Sequence, residues 1–267
     1  MKNKVDISFI TTIKNGSLLF EETAESVSLQ RGVSFEYIVV DDGSSAEEKK
    51  KISSILNRLQ QESGLNFKYI DNKATGRARA LNYAILNSNG RYIANIDADD
   101  PSSPDRAKMQ LSVIEYSEFD VVFSRSLIIL NDEKCHFFDC NASEKVENVK
   151  KMGIELLARN PLNHSSLFAR RDFFNKFSYD NNKEMMIDYD LYLRAYQAGQ
   201  RLGIIESKLA SKRLHPDQSF ERSNHFNYVW NCYKLQLNYL RFDCKYILIY
   251  FKILSKLLYG IIKGILR

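Results

Sequence analysis

Two aspartates, Asp97 and Asp99, follow an apolar segment of strand length and precede Pro101, which cannot continue a strand. Residues two apart in an extended segment face the same way, so the two carboxylates are expected to lie side by side. Such a pair repels itself unless a cation lies between the charges, and Mg²⁺ is usually held by one or two carboxylates together with substrate phosphates. The pair therefore predicts a divalent metal site. The alternative is an acidic turn in which Asp99 or Asp100 caps the next helix.

A second acidic pair, Asp41 and Asp42, follows another β-branched segment at residues 35–40. Strand-like segments alternate with helical ones at a spacing typical of βαβ units, which predicts an α/β fold with a largely parallel sheet. Ligands of such sheets bind outside the carboxyl ends of the strands, so the fold would bring both acidic pairs to one crevice. By local sequence alone, Asp41 or Asp42 could equally form a turn or cap a helix.

The hydrophobic pattern predicts the remaining elements. Before residue 100 it predicts strands at 5–11, 35–40 and 67–70 and helices at 18–30, 46–61 and 76–87. After residue 100 it predicts strands at 119–130, 164–168 and 202–206, helices at 149–158 and 187–198, and a polar loop at 135–148.

The composition is that of an ordinary globular protein of 267 residues, 44% hydrophobic and 27% charged. The cysteines have neither Cys-x-x-Cys nor zinc-ligand spacing, which indicates reduced thiols in the cytosol, and no secretory leader is recognisable. The formal net charge is +5, but residues 224–267 carry seven Lys and Arg against one Asp. The preceding residues are therefore close to neutral, which argues against nucleic acid as a partner.

The C-terminal segment is aromatic and aliphatic, and its basic residues recur at intervals of 7 and 4. On one continuous helix, the following six would share a single narrow arc: Lys234, Arg241, Lys245, Lys252, Lys256 and Lys263. A membrane-spanning helix is disfavoured, because two lysines would lie at mid-bilayer. The pattern instead predicts an amphipathic helix in the interface of an anionic membrane. The alternative is that its apolar face packs on the main domain or on a partner subunit.

Seven short motifs follow one another over roughly residues 5–219. They are 11–16 (TTIKNG), 39–44 (VVDDGS), 76–82 (GRARALN), 97–100 (DADD), 160–166 (NPLNHSS), 187–194 (IDYDLYLR) and 213–215 (RLH). In this order they resemble the motifs of a family 2 inverting glycosyltransferase with the GT-A fold, of the type used in bacterial surface-polysaccharide assembly.

The resemblance implies a Rossmann-like, mainly parallel α/β sheet with flanking helices and a C-terminal helical tail. Residues 1–100 would bind the nucleotide sugar, residues 101–223 the acceptor, and residues 224–267 would form the tail. The implied reaction moves a hexosyl or N-acetylhexosaminyl group from a nucleotide-sugar donor, expected to be a UDP-sugar, to an acceptor hydroxyl with inversion. Mg²⁺ or Mn²⁺ is the implied cofactor. A saccharide or lipid-linked saccharide is the implied acceptor, at the cytoplasmic face of the cell membrane.

The resemblance also gives roles to particular residues. Asp188 matches the catalytic base, since a neutral hydroxyl needs a carboxylate to take its proton. Asp99 would hold the metal with Asp97 beside it, and His215 is a further candidate ligand. Two of these residues have structural alternatives: an acidic residue such as Asp188 suits any helix start, and His215 precedes a proline turn.

The donor would contact a larger set, namely Thr12, Asp41, Gly76, Arg77, Arg79 and Asp97. The two arginines and the helix start at Gly76 offer positive potential to a diphosphate, although both arginines could simply be solvated. Asp41 would accept a hydrogen bond from the base. His164 lies in an acceptor-side motif, yet a structural hydrogen bond at a strand end would also account for it.

Two departures from the family pattern keep other functions open. Lys14 stands where many members carry a tyrosine near the base, and Ile187 replaces the Glu that usually precedes the catalytic aspartate. The second departure leaves open a non-catalytic scaffold subunit that binds nucleotide sugars without transferring them. A sugar nucleotidyltransferase fits less well, because it needs a glycine-rich basic loop after the first strand, and residues 11–16 contain one glycine and no arginine.

Overall fold

The computed structural model describes residues 5–72, 76–131, 133–137, 149–214, 225–240 and 246–265. The strands in these ranges are β1 (Ile7–Ile13), β2 (Phe35–Asp41), β3 (Phe67–Asp71), β4 (Tyr92–Asn95), β5 (Val121–Leu130), β6 (Val149–Lys151), β7 (Phe168–Arg170) and β8 (Leu202–Leu214). The helices are α1 (Ser17–Ser28), α2 (Ala46–Ser63), α3 (Arg77–Leu86), α4 (Arg106–Tyr116), α5 (Arg171–Lys176), α6 (Ile187–Gln197), α7 (His225–Tyr239) and α8 (Ile247–Ile265). Two 3₁₀ turns lie at Ile154–Leu157 and His164–Ser166.

These strands form one sheet in the order β3-β2-β1-β4-β7-β5-β8-β6. The neighbours β3, β2, β1 and β4 are parallel, as are β5 and β8. Only β7 and β6 run antiparallel to their described neighbours. The prediction of a mainly parallel α/β sheet with flanking helices and a helical tail is confirmed, and the parallel block places the carboxyl ends of β1, β2 and β4 along one edge.

The core lies on both faces of this sheet, as alternation along a strand requires. In β2, Val39 joins the core shared with α1, α2 and α4. Its neighbours Ile38 and Val40 join the opposite core, which includes α3, α6 and the two tail helices. The tail therefore shares its core with α6, the helix that carries Asp188.

Two elements of the second half differ from the prediction. Residues 149–158 do not form a helix: β6 occupies 149–151 at the sheet edge, and a single 3₁₀ turn follows Gly153. The predicted strand at 164–168 is a 3₁₀ turn followed by β7. The side chain of Asn163 accepts a hydrogen bond from the backbone N–H of Ser165 at 3.3 Å, and such local bonds compete with strand pairing.

The prediction of one continuous tail helix is wrong. α7 ends at Tyr239, Leu240 is not helical, and α8 starts at Ile247. The two helices pack against each other where Gly260 faces Val229, so close that a Cβ on Gly260 would lie 2.7 Å from a Val229 methyl carbon. The basic residues therefore do not share one arc; Arg241 and Lys245 lie outside the described residues. Within the described ranges, no helix is both long enough and apolar enough to cross a membrane.

Candidate active site

The end of β4 is held by a buried arginine on α4. Arg106 is fully buried, and its Nη2 donates to the carbonyl oxygens of Asn95 at 2.7 Å and Leu167 at 3.2 Å. Burial lowers the pKa of Arg106 to about 9, although the charges of Asp97 and Asp100 act in the opposite direction. The backbone just before Asp97 is therefore held in position by the buried side chain of Arg106.

The carboxylate of Asp97 contacts two basic side chains. Its Oδ1 lies 2.8 Å from Nη2 of Arg77 and 3.1 Å from Nδ1 of His164, and it accepts a hydrogen bond from Asn95 at 3.2 Å. Burial alone would raise the pKa of Asp97, but Arg77 and His164 outweigh it and hold the pKa well below its usual range. Asp97 is therefore ionised at neutral pH, and it orients Arg77.

His164 links this carboxylate to the second half of the chain. Its Nε2 lies 2.9 Å from the hydroxyl of Tyr179, and its carbonyl accepts a hydrogen bond from Asn95 at 3.0 Å. Both His164 and Tyr179 are buried. Tyr179 is not recognisable from the sequence, because a contact between residues 15 positions apart leaves no local pattern.

The neighbouring carboxylates, Asp99 and Asp100, have different surroundings. Asp100 is buried; it accepts hydrogen bonds from the backbone N–H of Arg213 at 2.6 Å and from the hydroxyl of Ser165. Its burial, together with the charges of Asp99 and Asp97, raises its pKa well above the usual range. Asp99 is half-buried, and its carbonyl accepts from Nε of Arg213 at 3.0 Å. Asp100 is thus the structural member of the motif.

This donor set fits a hard divalent cation in its chemistry, since carboxylate oxygens are the ligands that Mg²⁺ and related ions take. Asp97 and Asp99 both follow the end of β4, and the charges of both raise the pKa of Asp100. No group of three or more His, Cys, Asp or Glu arranged for a metal occurs among the described residues, and the candidate ligand His215 lies outside them.

The turn after β2 is built around Asp41. This fully buried carboxylate accepts hydrogen bonds from the N–H groups of Gly43 at 2.9 Å and Ser44 at 2.7 Å, and from the hydroxyl of Tyr69 at 2.8 Å. Burial alone would raise the pKa of Asp41, but these hydrogen bonds outweigh it and lower the pKa. Asp41 forms the turn that the local sequence allowed, and contact with a base stays a prediction.

Asp42 joins that turn to the start of α3. Its carboxylate accepts a hydrogen bond from the N–H of Gly76 at 2.8 Å. Gly76 has φ +125°, a backbone conformation that residues with a Cβ atom rarely adopt. Glycine is therefore required where the chain enters the helix. Thr12 is half-buried near the end of β1, where it pairs with Val40 of β2.

The first turn of α3 presents Arg77 and Arg79. Arg79 is exposed, whereas Arg77 reaches Asp97 while 48% of its side chain stays accessible. The charge of Asp97, with smaller contributions from Asp188 and Asp99, raises the pKa of Arg77. Arg77 therefore lies within electrostatic reach of Asp97, of Asp99 and of the candidate base Asp188, which is more than eighty residues away from the two aspartates in sequence.

Asp188 lies in the first turn of α6, half-buried, where its Oδ2 accepts a hydrogen bond from Nδ2 of Asn160 at 3.2 Å. Asp190 differs: it is buried, and it pairs with Nε of Arg194 at 2.8 Å and accepts from the hydroxyl of Tyr239 at 3.1 Å. Asp190 therefore ties α6 to α7. Of the two aspartates, Asp188 is the one whose charge raises the pKa of Arg77.

Comparison with known sequences agrees with this arrangement. Residues 8–136 match the model of Glycosyl transferase family 2. An uncharacterised glycosyltransferase of Rickettsia conorii is 26% identical over 238 residues, 86% of this chain and 38% of the relative. The amylovoran biosynthesis glycosyltransferase AmsE of Erwinia amylovora is 27% identical over 214 residues, 78% of this chain and 75% of the relative. The chain spans little more than a third of the Rickettsia relative's length.

Solved structures share the fold, which is that of the GT-A glycosyltransferases. TarS of S. aureus in complex with UDP-GlcNAc matches with a TM-score of 0.63 at 16% identity, over 96% of this chain and 72% of that one. A mannosyltransferase of Pyrobaculum calidifontis in complex with GDP-Man and Mn²⁺ matches with a TM-score of 0.61 at 12% identity, over 100% of this chain and 76% of that one.

Proposed function

We propose that this protein is an inverting glycosyltransferase that moves a sugar from a nucleotide-sugar donor to an acceptor hydroxyl. The observation that carries the proposal is the 2.8 Å ion pair of Arg77 with Asp97 at the start of α3, together with the charges of Asp188 and Asp99, which also raise the pKa of Arg77. Such a reaction needs positive charge where the nucleoside diphosphate leaves and a carboxylate where the acceptor hydroxyl enters. The family match of residues 8–136 supports the same reaction class.

On the donor side, Arg77 and the start of α3 at Gly76 supply positive potential toward the departing diphosphate. Asp97 orients Arg77 through its 2.8 Å ion pair. Arg79 and Thr12 are proposed as further donor contacts. Asp99 would hold Mg²⁺ or Mn²⁺ with Asp97 beside it, and the ion would supply Lewis-acid stabilisation of the phosphate charge. His215 remains a proposed further ligand.

On the acceptor side, Asp188 takes the proton of the attacking hydroxyl, which attacks the sugar carbon from the side opposite the diphosphate and so inverts it. Asn160 positions the carboxylate by its hydrogen bond to Oδ2. The Ile187 departure leaves a non-catalytic scaffold as the second candidate, but the carboxylate and its Asn160 partner are both in place.

The relatives suggest the substrates. TarS in complex with UDP-GlcNAc supports a UDP-sugar as donor, with a hexosyl or N-acetylhexosaminyl group transferred. The amylovoran relative supports a role in bacterial polysaccharide or glycolipid assembly, with a saccharide or lipid-linked saccharide as acceptor. We place the protein at the cytoplasmic face of the cell membrane, attached peripherally through residues 224–267.

The test is the Asp188→Asn variant, which keeps the shape of the side chain but cannot take a proton. Transfer should fall by roughly a hundred- to ten-thousand-fold while donor affinity stays unchanged. Nucleoside diphosphate release, screened over UDP- and GDP-sugars, gives the rate, and titration calorimetry gives the affinity.

The matched control is Asp190→Asn, on the same helix. Because Asp190 is paired with Arg194 and Tyr239, its loss should lower the melting temperature and leave the rate of the folded protein near normal. Near-normal turnover of Asp188→Asn would exclude this base. Donor binding without any release by the native chain would favour the scaffold.

A further inference from the structure

α8 has two apolar faces, and the described residues of the chain bury only one of them. Ile249, Ile253 and Leu257 are buried, and the first two belong to the core that the main domain shares with α7. The other face is exposed, with Leu248, Phe251, Leu254, Leu258 and Ile262 all accessible, Phe251 to 64% and Leu258 to 53%. At about 100° per residue, these five fall on one side of the helix, roughly opposite the buried set. An exposed apolar stripe this long is typical of an interaction site.

The positive charge of α7 and α8 indicates which kind of partner the exposed face of α8 binds. Neither α7 nor α8 contains an acidic residue, whereas Lys234, Lys252 and Lys256 lie on them. Lys252 is exposed and falls at the border of the apolar stripe, where a long side chain can reach an anionic headgroup. A second copy of the chain would bring lysines against lysines across a two-fold axis, which is unfavourable. An anionic lipid surface is complementary to both the apolar stripe and the charge.

The tail is also joined to the acceptor side of the crevice. Nζ of Lys256 donates to the carbonyl oxygen of Ala158 at 2.7 Å, and Asn160, two residues further on, bonds Asp188. On α7, Gln236 donates to the hydroxyl of Tyr189, the residue next to Asp188, at 3.1 Å. The helix that exposes the apolar stripe is therefore fixed to the segments that carry and position the candidate base.

We infer that the exposed face of α8 docks on the surface of an anionic lipid bilayer and thereby holds the Asp188 side of the crevice toward that surface. The second part rests on the proposed transferase function, because it places the base beside an acceptor carried on a lipid. This differs from the tail expected from sequence, because one apolar face of α8 packs on the protein and only the other face remains for lipid.

The test is flotation of the full chain with vesicles of phosphatidylcholine that contain phosphatidylglycerol, compared with phosphatidylcholine alone. The native chain should float with the anionic vesicles, and salt should weaken binding. The double variant Leu254→Gln/Leu258→Gln should bind at least about tenfold more weakly, because two residues leave the apolar stripe. The matched control, Leu86→Gln/Tyr116→Gln, changes two residues that are 79% and 87% exposed elsewhere, and it should float like the native chain.

The orientation is tested with Trp230, the only tryptophan, which lies on α7 beside α8. Brominated lipids should quench its fluorescence when the native chain docks. The inference would be overturned if the native chain does not float at low salt, or if the leucine variant binds the vesicles as well as the native chain. It would also be overturned if the native chain is a dimer and the leucine variant, but not the control, is a monomer.

Flotation needs neither donor nor acceptor, so its failure would leave the transferase proposal intact. Conversely, Asp188→Asn should float like the native chain even when it is inactive. The leucine variant should also keep the native melting temperature, since both side chains are exposed at the surface.

Discussion

Asp97 and Asp99 are two residues apart, yet their surroundings give them different tasks. Oδ1 of Asp97 is engaged by Arg77 and His164, so this carboxylate organises cationic neighbours. Asp99 is half-buried and is held through its backbone carbonyl by Arg213. Because Oδ1 of Asp97 already pairs with Arg77 and His164, we propose Asp99 as the principal metal ligand, and the two positions should respond differently to substitution.

We predict that Asp99→Ala lowers Mn²⁺ affinity and transfer by about a hundredfold or more, because a principal carboxylate ligand is lost. Titration calorimetry with Mn²⁺ and a donor-release assay measure the two effects. Asp105→Ala is the matched control: its side chain makes no capping hydrogen bond at the start of α4, and both quantities should stay unchanged. Full activity of Asp99→Ala in EDTA would contradict a metal held there.

For individual residues, the sequence reveals the type of side chain but not the side chains that it contacts in the fold. The spacing of Asp97 and Asp99 predicted a metal site on the premise that both lie in an extended segment. In the structure β4 ends at Asn95 and residues 98 and 99 form a turn, so the premise is wrong and the metal site stays a prediction. The ion pair of Asp97 with Arg77 joins residues twenty positions apart, and His164 and Tyr179 enter from the second half of the chain. No periodicity encodes such contacts, since they depend on how separate elements meet.

At the scale of elements, the register of β4 beside β1 sets the position of Asp97 and Asp99. Gly90 lies at the entry to β4, where a Cβ would lie 2.5 Å from the backbone nitrogen of Ser8 and 2.6 Å from the carbonyl carbon of Ile7. Its N–H donates to the hydroxyl of Ser8 at 2.8 Å. The two strands can approach this closely only because residue 90 has no side chain.

We therefore predict that Gly90→Ala lowers the free energy of unfolding by about 3 kcal/mol, since the methyl group meets backbone that cannot move aside. Gly64→Ala is the control: its φ of +67° imposes strain, but nothing lies within 4 Å of the added carbon. It should cost about 1 kcal/mol. Urea unfolding of both variants gives the comparison, and equal losses would mean that β4 shifts to admit the methyl group.

The elements of the first half could be predicted well, and those of the second half less so. β1, β2 and α2 follow from β-branched runs, helical spacing and a glycine stop at Gly64. Residues 149–158 carry a helix-like apolar spacing, but β6 gains its stability from pairing with β8, a contact between segments more than fifty residues apart. A local stretch of sequence around residues 149–158 does not include β8, so it cannot reveal this pairing.

At the scale of the whole molecule, Arg213 joins the two halves of the domain. Its guanidinium is fully buried at the end of β8, where Nη2 pairs with Glu22 of α1 at 2.5 Å. Nη1 donates to the carbonyl oxygens of Asn131 at 2.7 Å and Glu133 at 2.8 Å, and Nε donates to the carbonyl of Asp99. One side chain thus connects the first helix, the chain after β5 and the backbone of Asp99.

Replacing Arg213 by Met keeps an apolar stem of similar length but removes every donor. Glu22 and three carbonyl groups would then lose a partner, and we predict a loss of about 3 kcal/mol in the free energy of unfolding. Arg125 is the matched control, because it forms an equally well-aligned pair with Glu206, at 3.0 Å, on the surface. Arg125→Met should cost less than about 1 kcal/mol. Urea unfolding measures both losses, and equal values would show that the halves of the domain are held together without Arg213.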